Sequence, residues 1–500
     1  MNDDVNALAL AGDPLAGRCG AFCPPSEAAE RRHNRFLSPC EVAPGRQLVK
    51  RYSRSAAGVT FDEHTLRPLP VLQRVVAYLL GDVLPSVGVS FEARYGFVSD
   101  RLRAVRQDAA VQQLCSVALL RLLVASARFH VLAWRVAAAA AAPEAGPAAG
   151  AGPGGHTRLG GSGDEGDRLD PVMNDSRLLE CVAHGLGVCE QLLALDGGDD
   201  GGGGGDRAEV LRCHAELLAY RLGAAFLEPG GVLAALRTLA RTRPAQLRAW
   251  PVAAVLRVYA AWQARDWRGA LGQLDALGGG QAERADASIE GGLAPLLWGL
   301  LQRYVPLARL LLVRSLAHAL PPRAGGVPID AVVRLLLYRP GASPVAAAAD
   351  GGGGGGDFAW EGAARFCLQL RQAVLLLQPA AAAAAIPVAG SAAAANSREC
   401  AAPPSKEGVP VGAQLLGELH RASAACGEPA APPLVVHFDR AADLEPRSTD
   451  PRVRAALGPT LEAPPGHLRF PASAAALSAL VMHGLLAAPD AAAPPWQGDA

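Results

Sequence analysis

The chain is 500 residues long, half of it apolar and only 19% charged, which is enough apolar content to bury a large core. Lys plus Arg and Asp plus Glu balance at 47 each, excluding a global field that would draw the chain to nucleic acid or to an anionic membrane surface. The length sets a soft expectation of two or three domains, reduced by insertions.

Arginine supplies nearly all the positive charge, the two lysines being Lys50 and Lys406. Together with long Ala and Gly tracts this reads as compositional bias, so arginine richness by itself carries no weight for nucleic-acid binding. The opening MNDDVNALALAGD has neither a basic n-region nor a long apolar run, and no secretory signal is expected. The longest apolar stretch, Cys115 to Ala142, is interrupted by Arg121, Arg128, His130 and Arg135. Charges there would be costly in a bilayer, so a buried helix is expected and no membrane contact. Cytoplasm and nucleus stay open. The ten cysteines form no even framework and read as small core residues of a reducing compartment.

In chain order, residues 1–18 are expected to be a flexible N-terminus. Cys19, Cys23, His33 and Cys40 make the tightest metal-like cluster, but the His33–Cys40 gap is too loose for a zinc knuckle, and no metal is expected. Arg46, Lys50, Arg51 and Arg54 follow as an acid-free basic run with Tyr52 inside it. From Pro68 and Pro70 a helix begins, with Val71, Leu72, Val75, Val76, Leu79 and Leu80 on one stripe. A second helix carries Phe91, Tyr95, Val98, Leu102 and Val105 on one side, with Asp100, Arg101, Arg103, Arg106 and Asp108 on the other.

Gly, Ala and Asp tracts at Ala137–Asp167, Gly197–Gly205 and Ala346–Gly356 read as flexible loops, because they cannot bury enough apolar surface to offset ordering entropy. Short helical patterns lie between them, at 177–195, 207–227, 230–241, 251–265, 267–277, 293–301, 307–320, 330–338 and 360–377, joined by Pro and Gly turns. They predict an all-α stack of antiparallel pairs. Cys181, His184, Cys189, Cys213 and His214 read as core. Trp250, Tyr259, Trp262 and Trp267 read as helix-pair packing. Leu434 to Phe438, after Pro432 and Pro433, is the best strand candidate. No phosphate loop, nucleophile elbow or paired-acid pocket is visible, and neither a catalytic residue nor a cofactor nor a small-molecule substrate is expected.

The basic run admits two readings. Arg46, Lys50, Tyr52 and Arg54 can hold single-stranded RNA, with guanidinium forks on phosphate and the ring under an unpaired base. Alternatively, the arginines make internal ion pairs with Glu27, Glu30, Asp100 and Asp108, since long charged side chains clamp helical surfaces. From Glu27 to Asp108 there are thirteen Lys or Arg against nine Asp or Glu, a modest excess.

Several of these motifs, in order, resemble the signature of the Sac-three/GANP family. Cys23-Pro24 with Glu27, Glu30 and Arg31 is similar to its CP-x-x-E-x-x-E-R opening. Lys50-x-Tyr52-x-Arg54, then Arg67-Pro68, then Asp100-Arg101-x-Arg103 through Arg106 and Asp108 continue the likeness over residues 20 to 115. The resemblance implies a helical-repeat (TPR/PCI-like) solenoid ending in a small winged-helix element. It divides the chain into a signature region at 19–136, a linker at 137–170, a PCI-like region at 171–345 and a Gly-rich loop at 346–357. A winged-helix region at 358–485 with an insertion at 379–410, and a tail at 486–500, complete it. It further implies a non-enzymatic scaffold of nuclear mRNP assembly and mRNA export. Its expected partners are a PCI-domain protein, a small acidic protein of a transcription-export-type complex, and single-stranded RNA. Lacking the Phe-Gly-rich regions of large members, the chain resembles short members. That opens the alternatives of a centrosome- or spindle-associated assembly factor without RNA, or a helical adaptor in a PCI-type complex.

Overall fold

The computed structural model describes residues 15–42, 44–54, 61–140, 170–195, 204–225, 231–277, 290–319, 326–337, 359–370, 373–377, 409–410, 419, 434–438 and 481–482. The described chain is all-α apart from one small sheet. Helix α1 (Pro25–His33) opens on Pro25 at its first position, and a single turn, α2 (Pro39–Val42), follows. Helix α3 (Leu69–Tyr78) has Pro70 in its first turn, where the missing N–H has no helical partner to lose. It continues into a π turn at Leu79–Val83. Helix α4 (Phe91–Val111) is capped by Ser90, whose hydroxyl accepts from the Ala93 N–H at 3.2 Å.

Helices α5 (Val117–Ala140), α6 (Pro171–Leu195) and α7 (Gly204–Ala225) form the centre of the molecule. Gly185 on α6 lets α7 approach closely, since a Cβ there would lie 2.6 Å from Leu217 Cδ1. Next come α8 (Gly231–Arg241), α9 (Pro244–Leu247), α10 (Trp250–Gln263), α11 (Trp267–Asp275), α12 (Glu290–Leu301) and α13 (Val305–Ala319). Helix α7 packs on α8 and α10, α10 on α11, and α11 on α13, which is the serial stacking of a solenoid. Trp262 and Trp267 meet edge to face at 5.3 Å and Trp262 lies 6.2 Å from Tyr304, so these rings join neighbouring helices.

The chain then runs through β1 (Val327–Pro328), α14 (Ile329–Leu336), α15 (Ala359–Leu370), β2 (Ala373–Leu377), β3 (Val409–Pro410) and β4 (Leu434–Phe438). The sheet has the order β1-β4-β2-β3 and its pairings are antiparallel. Leu434–Phe438 is therefore a strand, as its β-branched run predicts. The helix expected over 360–377 is corrected: it stops at Leu370, and Ala373–Leu377 pairs along its length with β4. An apolar run of that length fits helix or strand equally, and the partner strand decides it. Leu337 ends α14 in the left-handed conformation at φ 51°. Arg309 on α13 secures that end, its Nε and Nη2 donating to the carbonyls of Leu336 and Leu337 at 2.8 and 3.1 Å.

One contiguous core reaches from Phe22 to Met482 and is shared across the 137–170 segment, because α5 packs along α6. Two stretches, Val172–Leu195 and Leu293–Ala319, are long and apolar enough to cross a membrane by length and composition. The second is 83% buried inside the protein over its most apolar window. The N-terminal segment is tied down from Gly17 onward, inside the stretch expected to be flexible. The Gly17 N–H donates to Gln112 Oε1 at 2.9 Å and the Arg18 N–H to the Glu63 carbonyl at 2.8 Å. The expected Gly-rich loops at 197–205 and 346–356 lie outside the described residues, except that Gly204 and Gly205 begin α7. The tract expected from Ala137 contributes its first residues, to Ala140, to α5.

A buried charge seam as the candidate functional site

The signature residues converge on a seam between the N-terminal segment, α3 and α4. Two carboxylates organise it. Asp108, fully buried on α4, accepts from Lys50 Nζ at 2.7 Å and from Arg67 Nε at 2.6 Å. The Arg67 backbone N–H adds a third bond to the same carboxylate at 3.3 Å. Arg67, itself without exposed surface, also donates through Nη1 to the Phe22 carbonyl at 3.2 Å, and Lys50 to the Thr65 carbonyl at 2.7 Å. Glu41, the second carboxylate, is held by the guanidinium of Arg31, by Arg101 Nη2 at 3.4 Å and by the Val49 N–H at 3.2 Å. Arg31 also reaches the carbonyls of Phe36 and Val49, and Arg101 lies over the Phe97 ring at 4.4 Å. Each of these ions faces an opposite charge, the condition under which burial is tolerated, although Arg67 Nη2 and Arg101 Nε are buried without a hydrogen bond among the described residues.

The remaining signature residues frame the seam. Cys23 is buried and Pro24 precedes α1, while Glu27 accepts from the Arg51 N–H at 2.9 Å. Glu30 is exposed on α1, and Pro68 stands at the start of α3. Asp100 pairs with Arg101 and accepts from the Tyr52 N–H at 3.3 Å. Arg103 stacks its guanidinium on the Tyr52 ring at 3.5 Å. Arg106 reaches Glu180 on α6 at 2.5 Å, and Arg177 joins the same carboxylate at 2.6 Å. Burial pushes the Glu180 carboxyl up, but Arg106, Arg177 and Arg103 outweigh it and hold it below the usual carboxylate range.

The four residues considered for RNA are not presented together. Lys50 is buried with its ammonium on Asp108 and Thr65. Tyr52 is half-buried with one ring face under Arg103. Arg46 is half-buried and donates to the Asp82 carbonyl at 2.9 Å, and Arg54 is exposed. Spacing placed these residues near one another in sequence, but tertiary folding turned Lys50 and Tyr52 inward toward α4. Glu41 is the seam residue that sequence reasoning missed; its position ten residues after Arg31 and its lone charge among apolar neighbours are the signal that was there.

Cys19, Cys23 and Cys40 are buried free thiols. Burial, helped by the nearby Glu27 carboxylate, pushes the Cys23 thiol up to about 12. Burial alone does the same to Cys367. Neutral thiols of this kind are poor nucleophiles and poor ligands. Among the described residues no three His, Cys, Asp or Glu side chains converge in a metal-binding group.

A polar knot ties α4, α5 and α6 beside the seam. Asn174 Oδ1 accepts from the Tyr95 hydroxyl at 3.0 Å and lies 2.9 Å from His130 Nδ1, while Asn174 Nδ2 donates to the His130 carbonyl. Burial pushes the His130 imidazole down to about 3, only partly opposed by its bond to Asn174. The folded state thus keeps this histidine neutral while the unfolded chain protonates near pH 6.5. Stability it contributes is complete above pH 6.5 and is lost as pH falls from there toward 3. Unfolding free energy is expected to drop by about 2 kcal/mol per such histidine between pH 7 and 5. His130→Gln is expected to flatten that slope in urea titrations at successive pH values.

The fold and seam define a class: a helical-stack protein whose charged signature residues brace its own architecture. Residues 22–144 match the model of the SAC3/GANP family. It is 31% identical over 126 residues to SAC3 family protein B of Arabidopsis thaliana, covering 24% of this chain and 7% of that protein. It is 31% identical over 128 residues to Protein xmas of Drosophila melanogaster, covering 23% and 6%. SAC3 family protein 1 of Schizosaccharomyces pombe (strain 972 / ATCC 24843) is 32% identical over 128 residues, covering 24% and 12%. The matched region thus spans an eighth or less of each relative's length.

Proposed function

We propose that the chain is a non-enzymatic scaffold of the SAC3/GANP type, working in nuclear mRNP assembly and mRNA export through pairing with a PCI-domain protein and a small acidic protein. The observation that carries the reading is that the described residues of the region matched to the family, within 22–144, form a braced helical platform. Several of its charged signature residues are engaged inside the fold: Arg31 and Arg101 on Glu41, and Lys50 and Arg67 on Asp108. The C-terminal unit supports partner pairing. The order α13, β1, α14, α15, β2, β4 with β4 between β1 and β2 fits a winged helix, with β3 added at the edge.

Direct RNA contact at the basic run rests on fewer residues than the sequence offers, since Lys50 and Tyr52 are engaged internally. That favours, as a second reading, a centrosome- or spindle-associated assembly factor without RNA. Purification of the tagged full chain with ultraviolet crosslinking separates the two. A stoichiometric PCI-type partner together with crosslinked RNA supports the export reading, and cytoskeletal partners without RNA support the other.

If RNA does run over this face, Arg51 and Arg54, both exposed, carry it. The double variant R51Q/R54Q is then expected to flatten the salt dependence of uridine-oligonucleotide binding, by roughly 0.7 in log–log slope for each phosphate that is no longer neutralised. An unchanged slope in a folded variant removes RNA from this patch.

A further inference from the structure

The chain as a whole is electrically balanced, yet from Gly231 to Arg265 it carries six arginines and not one Asp or Glu. Compositional bias toward arginine raises its frequency everywhere and does not remove acids from a local stretch. The run begins on α8, which packs against α7 through Ala235 and the partly buried Leu239. Its opposite face carries Leu233, Leu236, Arg237, Ala240 and Arg241, all exposed, which at helical spacing form one continuous strip. Leu233 is 53% exposed and Leu236 51%, placing both among the exposed large apolar side chains of the molecule. Arg243 and Arg248 flank the strip on either side of α9 and are exposed as well. None of these four arginines has an ion-pair partner among the described residues, in contrast to the arginines of the N-terminal seam.

We propose that this outer face of α8 is a docking surface for an acidic segment of a partner protein, whose apolar residues cover Leu233 and Leu236 while its carboxylates meet Arg237, Arg241, Arg243 and Arg248. Charge complementarity selects an acidic occupant. The leucine pair selects protein over nucleic acid: no aromatic residue occurs from Gly231 to Ala249, so this face offers no ring on which an unpaired base can stack. Two leucines one helical turn apart are instead the usual anchors for an amphipathic partner. Guanidiniums that have no ion-pair partner among the described residues, set around an apolar strip, suit the carboxylates of an incoming segment. The inference goes beyond the scaffold reading and does not rest on pairing through the C-terminal sheet.

The test places the photocrosslinker p-benzoylphenylalanine at Ala240, leaving both leucines intact, in the full chain expressed in cells, with adducts mapped by mass spectrometry. The expected adduct is a protein segment of net negative charge containing apolar residues. Its yield falls by roughly tenfold or more in R237E/R241E, the consequence of like charges at an interface, and is retained in R237K/R241K. It falls likewise in L233S/L236S. Each variant is compared at an unchanged melting temperature, which these exposed positions permit. RNA in the adduct, a segment without net negative charge, no adduct above the unirradiated control, or a yield indifferent to the R237E/R241E charge reversal overturns the proposal.

Discussion

Asp108→Ala is expected to lower the unfolding free energy by about 3–5 kcal/mol, because among the described residues Lys50 and Arg67 pair with no other carboxylate and would keep only carbonyl partners. Arg67 has no exposed surface and Lys50 is nearly as buried, so neither can turn to solvent to recover its hydration. The loss spreads beyond one residue pair. The Arg67 backbone and the Gln112 amide also meet at this point, Gln112 Nε2 donating to the carbonyls of Arg67 and Asp108 at 2.9 and 2.8 Å. Urea unfolding of the purified chain, followed by helical circular dichroism, measures the effect. A variant within about 0.5 kcal/mol of the parent, the range of ordinary surface substitutions, contradicts the brace. Arg101→Ala offers a second measure of the same seam, since it removes a cation from Glu41 and the cover from Phe97. Loss of partner binding without loss of stability in that variant reassigns the residue to a docking role.

Glu216→Ala is expected to cost a similar amount, about 3–5 kcal/mol, through a different pair. On α7, Glu216 accepts two bonds from the Arg128 guanidinium of α5 at 2.6 and 2.7 Å and a third from the Tyr220 hydroxyl at 2.8 Å. Burial pulls the Arg128 guanidinium down, but Glu216 more than compensates and holds it above its ordinary range, so the charge persists when the partner is removed. The double variant R128M/E216L removes both charges and fills the space with apolar atoms. It is expected to recover most of the loss, since whole buried pairs exchange for apolar residues at little net cost. A cycle of the two single variants and the double variant reads the coupling directly. Additive losses would show that α5 and α7 are held by packing alone.

The outcomes at individual residues show where sequence reading succeeds. The helices at 69–78 and 91–111 were legible because their apolar residues recur at helical period and proline or serine marks their starts. The strand at 434–438 was legible from its β-branched run, whereas Ala373–Leu377 was not, since its preference for strand comes from β4 lying beside it. The charges of the second signature block meet Glu41, Lys50, Arg67 and Glu180. Those partners lie 41 to 74 residues away in the chain. No local rule assigns partners at such separations.

The sequence by itself determined the helical class, the positions of most helices and the motifs that match the SAC3/GANP region, because period, capping residues and proline placement act within a few residues of one another. Tertiary structure alone decided which cations became interior braces and which stayed free. Lys50 and Arg54 belong to one basic run, and nothing in their spacing says which of the two is to be buried. The fold carries Lys50 to the buried Asp108 and leaves Arg54 in water. The same holds for the arginines of α8, whose isolation depends on the absence of any carboxylate among the described groups that pack near them. A charge acquires its role from what folding brings within a few ångströms, and that distance is not written in the order of residues.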